Sequence, residues 1–276
     1  MTRSVHRTRR MLKVAGAGAA ALLALSACSS SSKSSDSSGS SAPSEASGSP
    51  KLSGNVTVFA AASLKESFTT LGKEFEQQHP GTKVSFNFGG SDTLAASITS
   101  GAPADVFAAA SPKTMATVTG KKDADGTPAT FVRNQLEIAT LPGNPHKVAS
   151  LKDLTASGLK VVLCDKTVPC GAAAQKALDA SHLKLTPVSY EQDVKGALNK
   201  VELKEADAAV VYKTDVHAAG DKVQGVEFPE SAKAVNDYPI VLLKNAPNAA
   251  AAKAFIALVQ SAEGQKVLSE AGFLKP

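Results

Sequence analysis

Tryptophan is absent from the 276-residue chain, and aromatic residues of all kinds make up 5% of it. That scarcity argues against a stacking platform for sugars or nucleobases, which works through aromatic faces. Histidines 79, 146, 182 and 217 are scattered, without the ligand spacing of common structural zinc sites. The apolar stretch 14–25 is twelve residues long, short of the roughly 20 that a membrane span needs. No repeat of about 20–50 residues points to a solenoid. Gly89-Gly90-Ser91-Asp92-Thr93 lacks the second glycine of a nucleophile elbow and the lysine of a phosphate-binding P-loop. Excess positive charge is missing too, once it is located. The net charge is +5, but Arg3, Arg7, Arg9, Arg10 and Lys13 account for all of it, and residues 28–276 balance 25 basic against 25 acidic groups. A nucleic-acid partner, which needs a basic face, is therefore not expected.

What is present begins with an address. Residues 1–13 are basic, 14–25 apolar, and Leu25-Ser26-Ala27-Cys28 follows. Small residues ahead of a cysteine resemble a bacterial lipobox, so 1–27 is expected to be a signal peptide and Cys28 the acylated new N-terminus; an ordinary signal peptide with an incidental cysteine is the alternative. Thr8-Arg9-Arg10-Met11-Leu12-Lys13 also resembles a loose twin-arginine signal, and the general secretion route is equally open. Thirteen of residues 29–50 are serine. Such a segment cannot bury enough apolar area to offset chain ordering, and 28–53 reads as a flexible linker with a reach of roughly 25 Å.

Hydrophobic residues at 43%, with abundant Ala and Gly, suffice for a core of helices packed closely on a sheet. Leu64, Phe68, Leu71 and Phe75 recur at helical spacing, whereas Val84, Phe86 and Phe88 alternate as in a strand. The pattern predicts strands over 55–61, 83–88, 105–109, 137–141, 160–164 and 208–212. Helices are predicted over 64–78, 94–99, 172–180, 194–201, 249–260 and 264–271. Alternation of this kind implies an α/β fold with largely parallel pairing. Ser63, Ser91, Gly171 and Asp193-Val194 fall at strand-to-helix junctions, where unpaired N–H groups and the positive end of the helix dipole can hold an anion. Serine is also a favoured N-cap, so capping is the simpler reading of any one junction.

Three blocks, Val58-Phe59-Ala60-Ala61-Ala62-Ser63-Leu64, Phe88-Gly89-Gly90-Ser91-Asp92-Thr93-Leu94 and Gly101-Ala102-Pro103-Ala104-Asp105-Val106-Phe107, resemble the periplasmic molybdate-binding proteins of ABC transporters. Pro169-Cys170-Gly171, Asp193-Val194-Lys195-Gly196-Ala197-Leu198, Val210-Val211-Tyr212, Asp237-Tyr238-Pro239-Ile240 and Gly272-Phe273 are similar to that family's later blocks, in the same order. The resemblance implies a two-lobed type II periplasmic-binding fold with two chain crossovers, near 133–135 and 237–239, and the ligand cleft between lobes. Lobe one would comprise 54–132 and 237–276, and lobe two 133–236. Lobe closure on the ligand would follow a hinge. Carried over position by position, Ser63 and Ser91 donate hydroxyl and backbone hydrogens, Cys170 and Val194 backbone N–H groups, and Tyr212 its phenol. The family commonly has alanine where this chain has Cys170.

The resemblance further implies no enzyme activity and no cofactor. It implies a monomeric receptor that passes molybdate to an ABC permease, and the lipobox reading adds a lipid anchor at Cys28 on the outer face of the cell membrane. A fully deprotonated tetrahedral dianion accepts hydrogen bonds and donates none, so neutral donors suit it and spare the desolvation of a buried Arg or Lys. Tungstate, nearly the same in size and shape, is expected to bind as well. Sulfate is also free of protons, which keeps a receptor for another oxyanion open. Two readings of other classes are a serine hydrolase using Ser91 and an adhesion or signalling lipoprotein. With Cys28 used for lipid, Cys164 and Cys170 flank a Pro-containing loop in an exported chain, and a disulfide worth roughly 2 kcal/mol is expected, two buried thiols being the alternative.

Overall fold

The computed structural model describes residues 51–276. The expected signal peptide, Cys28 and the linker up to residue 50 lie outside the described residues. The described residues form a single compact unit. Its strands and helices run in the order β1 (Gly54–Ala61), α1 (Lys65–Gln78), β2 (Thr82–Gly89), α2 (Ser91–Thr99), β3 (Val106–Ala108), α3 (Pro112–Gly120), β4 (Ala124–Asn134), β5 (Leu136–Thr140), β6 (Val161–Cys164), α4 (Pro169–Ala180), β7 (Ser189–Glu191), α5 (Val194–Glu202), β8 (Ala208–Tyr212), α6 (Lys213–Ala219), β9 (Gln224–Val226), β10 (Asn236–Leu243), α7 (Ala249–Gln260) and α8 (Ala262–Glu270). Among these residues no helix is long and apolar enough to cross a membrane.

Two five-stranded sheets result, ordered β2-β1-β3-β10-β4 and β7-β6-β8-β5-β9. In the first, the period of two sends alternate side chains to opposite faces. Val58, Val106 and Leu242 join the larger core with Phe68, Phe75 and Phe255 of α1 and α7. Phe59, Phe107 and Val241 join a smaller core with Leu94, Ile98, Met115 and Val118 of α2 and α3. Burial on both faces explains why β1 is apolar at nearly every position from Val56 onward. Phe255 meets Phe68 and Phe75 edge-on at 5.9 and 5.6 Å, a favoured ring geometry.

The pairing corrects one expectation. It is not largely parallel: β1–β2, β1–β3, β6–β7 and β6–β8 are parallel, but β3–β10, β4–β10, β5–β8 and β5–β9 are antiparallel. The physical cause is the path of the chain between sheets. At the first passage Gln135 alone separates β4 from β5. The return leaves β9 and passes a 3-10 turn at Pro229–Ala234 into β10. Neither passage contains the long helical crossover that parallel neighbours require. The two passages lie side by side. Asn134 pairs with Asn236 in the β4–β10 ladder, the Gln135 amide donates to Ser231 Oγ at 2.7 Å, and Arg133 meets Asp237 at 2.7 Å.

Candidate ligand-binding site

Every residue expected to hold ligand sits where a strand gives way to a helix. From Ala61, the end of β1, the chain makes a 3-10 turn at Ala62–Leu64 that carries Ser63 into α1. Gly90 caps α2, and Ser91 is that helix's first residue. Cys170 is second in α4, within the helix's first turn rather than ahead of it as expected, because Pro169 is well suited to the first helical position. Val194 opens α5, and Tyr212 closes β8 and caps α6. The structure brings all five together around one cavity, which leaves about 20 Å³ for the centre of a water molecule. That space matches a small ion and falls far below the roughly 300–1,000 Å³ that holds a drug-sized ligand.

The polar groups that line the cavity are mainly donors. No Lys or Arg lines it. Its one carboxylate, Asp193, is turned to cap α5, where Oδ1 accepts the Gly196 N–H at 2.9 Å. Among the described residues the backbone N–H groups of Ser63, Ser91, Cys170 and Val194 have no acceptor, as first-turn groups of a helix usually do not. Several helix N-termini thus point partial positive charge at one small volume. The hydroxyls are held from behind. Ser91 Oγ accepts the Ala110 N–H at 3.0 Å. Tyr212 Oη accepts from the Asn236 amide at 2.7 Å. Ser63 Oγ lies 2.9 Å from Tyr238 Oη, which in turn accepts from Asn134 at 3.3 Å. Burial holds both tyrosine phenols well above the usual range, so they stay protonated.

Contacts across the cleft join the two sheets' lobes. The α-carbon of Gly90 packs so closely on the Gln192 carbonyl that an added Cβ would lie 2.6 Å from its oxygen. Lys195, next to Val194, reaches Glu66 of α1 at 3.0 Å and the fully buried Asp215 of α6 at 3.1 Å. Burial raises the Asp215 carboxyl to about 6, against the pull of Lys195 and of the Tyr212 N–H that it accepts. Lys195 remains charged, because the attraction of Asp215 and Glu66 outweighs its own desolvation.

Cys164 and Cys170 are joined by a disulfide, with α-carbons 5.8 Å apart. The loop between them is a tight turn in which Asp165 accepts from Thr167 through its side chain and from Val168 through its carbonyl. Gly171 seats against that turn so closely that a Cβ would lie 1.9 Å from the Asp165 carbonyl oxygen. Among the described residues no group of three or more His, Cys, Asp or Glu side chains is arranged to hold a metal ion.

Sequence reasoning missed the layer behind the cavity. Tyr238 reads as an ordinary core tyrosine, and Asn134 and Asn236 carry no motif by themselves. The available signal was their adjacency to the two passages and, for Tyr238, the Asp237-Tyr238-Pro239-Ile240 block.

The family model for bacterial extracellular solute-binding proteins matches residues 56–274. The molybdate-binding protein ModA of Mycobacterium tuberculosis is 42% identical over 233 residues, covering 84% of this chain and 89% of that protein. Among solved structures, the periplasmic molybdate-binding protein of Azotobacter vinelandii matches with a TM-score of 0.71 at 21% identity, over 80% of this chain and 99% of that one. The sulfate-binding protein SubI of M. tuberculosis matches at 0.67 and 19%, over 79% and 86%. At these identities the structural matches speak for the fold alone, a two-lobed type II periplasmic-binding fold. With a family model spanning nearly all of the described residues and a relative at 42% identity, this chain belongs to the bacterial extracellular solute-binding protein family.

Proposed function

We propose that this protein is an extracytoplasmic receptor that captures molybdate, accepts tungstate as well, and delivers its ion to an ABC permease. The observation that carries the reading is the cavity itself: a volume of ionic size, ringed by hydroxyl and N–H donors from both lobes, without a fixed cation. Its mycobacterial relative is a molybdate-binding protein, which narrows the ion from tetrahedral dianions in general to this one. Ser63, Ser91 and Tyr212 donate hydroxyl hydrogens, and Cys170 and Val194 backbone N–H groups. Ser91 serves as a ligand rather than a nucleophile, since its oxygen meets a backbone N–H and no histidine lines the cavity. The receptor carries out no chemistry and works as a monomer.

Sulfate is the second reading, favoured by the same set of donors, which suits any fully deprotonated tetrahedral dianion. Titration calorimetry with molybdate, tungstate, sulfate and hydrogen phosphate separates the two. Tight molybdate and tungstate binding with weak sulfate binding is expected; the reverse order sinks the molybdate reading. A hydrogen bond to a charged partner is worth about 1.5–3 kcal/mol, so Ser91→Ala is expected to weaken molybdate binding roughly 10- to 100-fold. An unchanged affinity would remove Ser91 from the site.

The reading places the receptor on a lipid tether at Cys28. In membrane fractionation the intact protein is expected to pellet with membranes, and Cys28→Ser to be found in the soluble extracytoplasmic fraction. Equal partitioning of the two would rule out that anchor.

A further inference from the structure

We propose that Asn134 and Asn236, one on each strand at the passages between lobes, are positioning residues that lock the cavity's hydroxyls as hydrogen-bond donors and so make the site refuse anions that carry a proton. The inference rests on reading the cavity as an oxyanion site, and it assigns the cause of selectivity to residues that do not touch the ion.

A hydroxyl can donate or accept, so serine and tyrosine do not by themselves make a donor-only site. The direction of each must be set by a neighbour whose own polarity is fixed. Asn236 Nδ2 faces the Pro169 carbonyl at 3.3 Å, and a carbonyl can only accept. The amide is therefore held with its NH₂ side toward Pro169 and Tyr212, and its second hydrogen goes to Tyr212 Oη at 2.7 Å. With that lone pair engaged, the Tyr212 hydrogen is turned away from Asn236, toward the cavity and the neighbouring Tyr238 phenol. Asn134 is held by the opposite constraint. Its Oδ1 accepts the Gln135 backbone N–H at 3.0 Å, and an N–H can only donate. Its Nδ2 then turns to Thr214 Oγ1 at 2.8 Å and Tyr238 Oη at 3.3 Å. Tyr238, receiving a hydrogen, passes its own to Ser63 Oγ at 2.9 Å, and the Ser63 hydrogen is released to the cavity. Ser91 needs no amide, because the Ala110 N–H fixes it directly.

All three hydroxyls thus have an acceptor position filled from behind, which biases their hydrogens toward the cavity, although each serine oxygen keeps a second lone pair. Hydrogen phosphate or hydrogen arsenate brings an O–H that needs an acceptor, and turning a hydroxyl's hydrogen back to free a lone pair for it would set that hydrogen against the N–H or O–H behind it. A buried donor left without an acceptor is costly, which is what makes the refusal strong.

The test is a double-mutant cycle of Asn236→Leu with Tyr212→Phe, read by calorimetry with molybdate and hydrogen phosphate. Asn236→Leu is expected to weaken molybdate at least 10-fold. It should weaken hydrogen phosphate far less, so that selectivity falls at least 10-fold. In the Tyr212→Phe background the same change is expected to add less than 2-fold. An undiminished loss in that background, or equal losses for both anions, would make Asn236 a packing residue and overturn the proposal. The parallel cycle, Asn134→Leu with Tyr238→Phe, gives a second reading if an Asn236 variant does not fold. Should the wild type hold sulfate in place of molybdate, the molybdate reading fails while the cycle, run on sulfate, still tests the relay. A wild type that binds none of these ions overturns both.

Discussion

Gly90→Ala is expected to lower molybdate affinity at least ~100-fold while leaving the ligand-free protein within about 1 kcal/mol of its original stability. The backbone at Gly90 has φ −60°, which alanine adopts freely, so the substitution carries no conformational strain of its own. Its effect lies in what the new methyl meets: the Gln192 carbonyl oxygen at 2.6 Å and Asp92 Oδ1 at 2.8 Å. Gln192 belongs to the opposite lobe, two residues before Val194, and its carbonyl is backbone that cannot rotate aside. The lobes relieve the clash by staying apart. Ser63 and Ser91 then keep their geometry on one side, while the Cys170, Val194 and Tyr212 donors stand off from the ion on the other. A hydrogen bond stretched beyond about 3.5 Å is largely lost. Each of these is charge-assisted, and forfeiting two already exceeds the roughly 2.7 kcal/mol of a 100-fold change. Calorimetry measures the affinity, and thermal melts with and without molybdate measure the stability and its ligand-dependent gain. Wild-type affinity in Gly90→Ala would mean that the ion is held without the lobes meeting at this point.

Much of the site was legible in the sequence because strand-to-helix junctions are written locally. Gly89-Gly90-Ser91 and Asp193-Val194 each combine a strand end with helix-start residues within a few positions, and helices such as α1 follow from apolar spacing. The junctions alone marked Ser63, Ser91 and Val194; Cys170 and Tyr212, and the ligand role of all five, came from the resemblance carried by the ordered motif set. The layer behind them depends on contacts that span the chain. Ser63 and Tyr238 are 175 residues apart, and Asn134 and Tyr238 are 104 apart. No local pattern brings such pairs together; the two passages between sheets do. Strand β10 is absent from the predicted strands; its Pro239, a residue inner strands disfavour, is accommodated at a register shift between Tyr238 and Pro239. β4 carries Gly126 and Pro128 in its first half and lies at the sheet edge, where proline is tolerated. Helix α6 has seven residues and only one turn's worth of buried side chains, and its start is set by Tyr212 and Asp215 rather than by apolar periodicity. The antiparallel half of each sheet was missed for the same reason as the rear layer, since β5 and β10 join their sheets by passing between lobes.

Gly171→Ala is expected to act on folding rather than on closure, and to cost more. Its Cβ would lie 1.9 Å from the Asp165 carbonyl oxygen and 2.6 Å from that of Cys164. Both oxygens belong to the same loop in the same lobe, so no movement of one lobe against the other relieves the overlap. Nor can the loop retreat easily. The Cys164–Cys170 disulfide ties its ends, the Asp165 N–H is bonded to the Glu191 carbonyl, and the Asp165 carbonyl is already engaged by Val168. Overpacking in such confined places costs about 1–3 kcal/mol and occasionally more, and a backbone overlap this deep belongs at or above the upper end. We expect Gly171→Ala to lose at least ~3 kcal/mol in denaturant unfolding and to leave no measurable molybdate binding, because the displaced turn carries the Cys170 N–H away from the cavity. The companion variant Cys164→Ser/Cys170→Ser distinguishes the two causes. Cutting the tie gives the loop room, so adding Gly171→Ala to that background should cost less than it does alone. Equal costs in both backgrounds would show that the disulfide does not confine the loop, and a Gly171→Ala protein of unchanged stability would show that the glycine's close seat is not a constraint in solution.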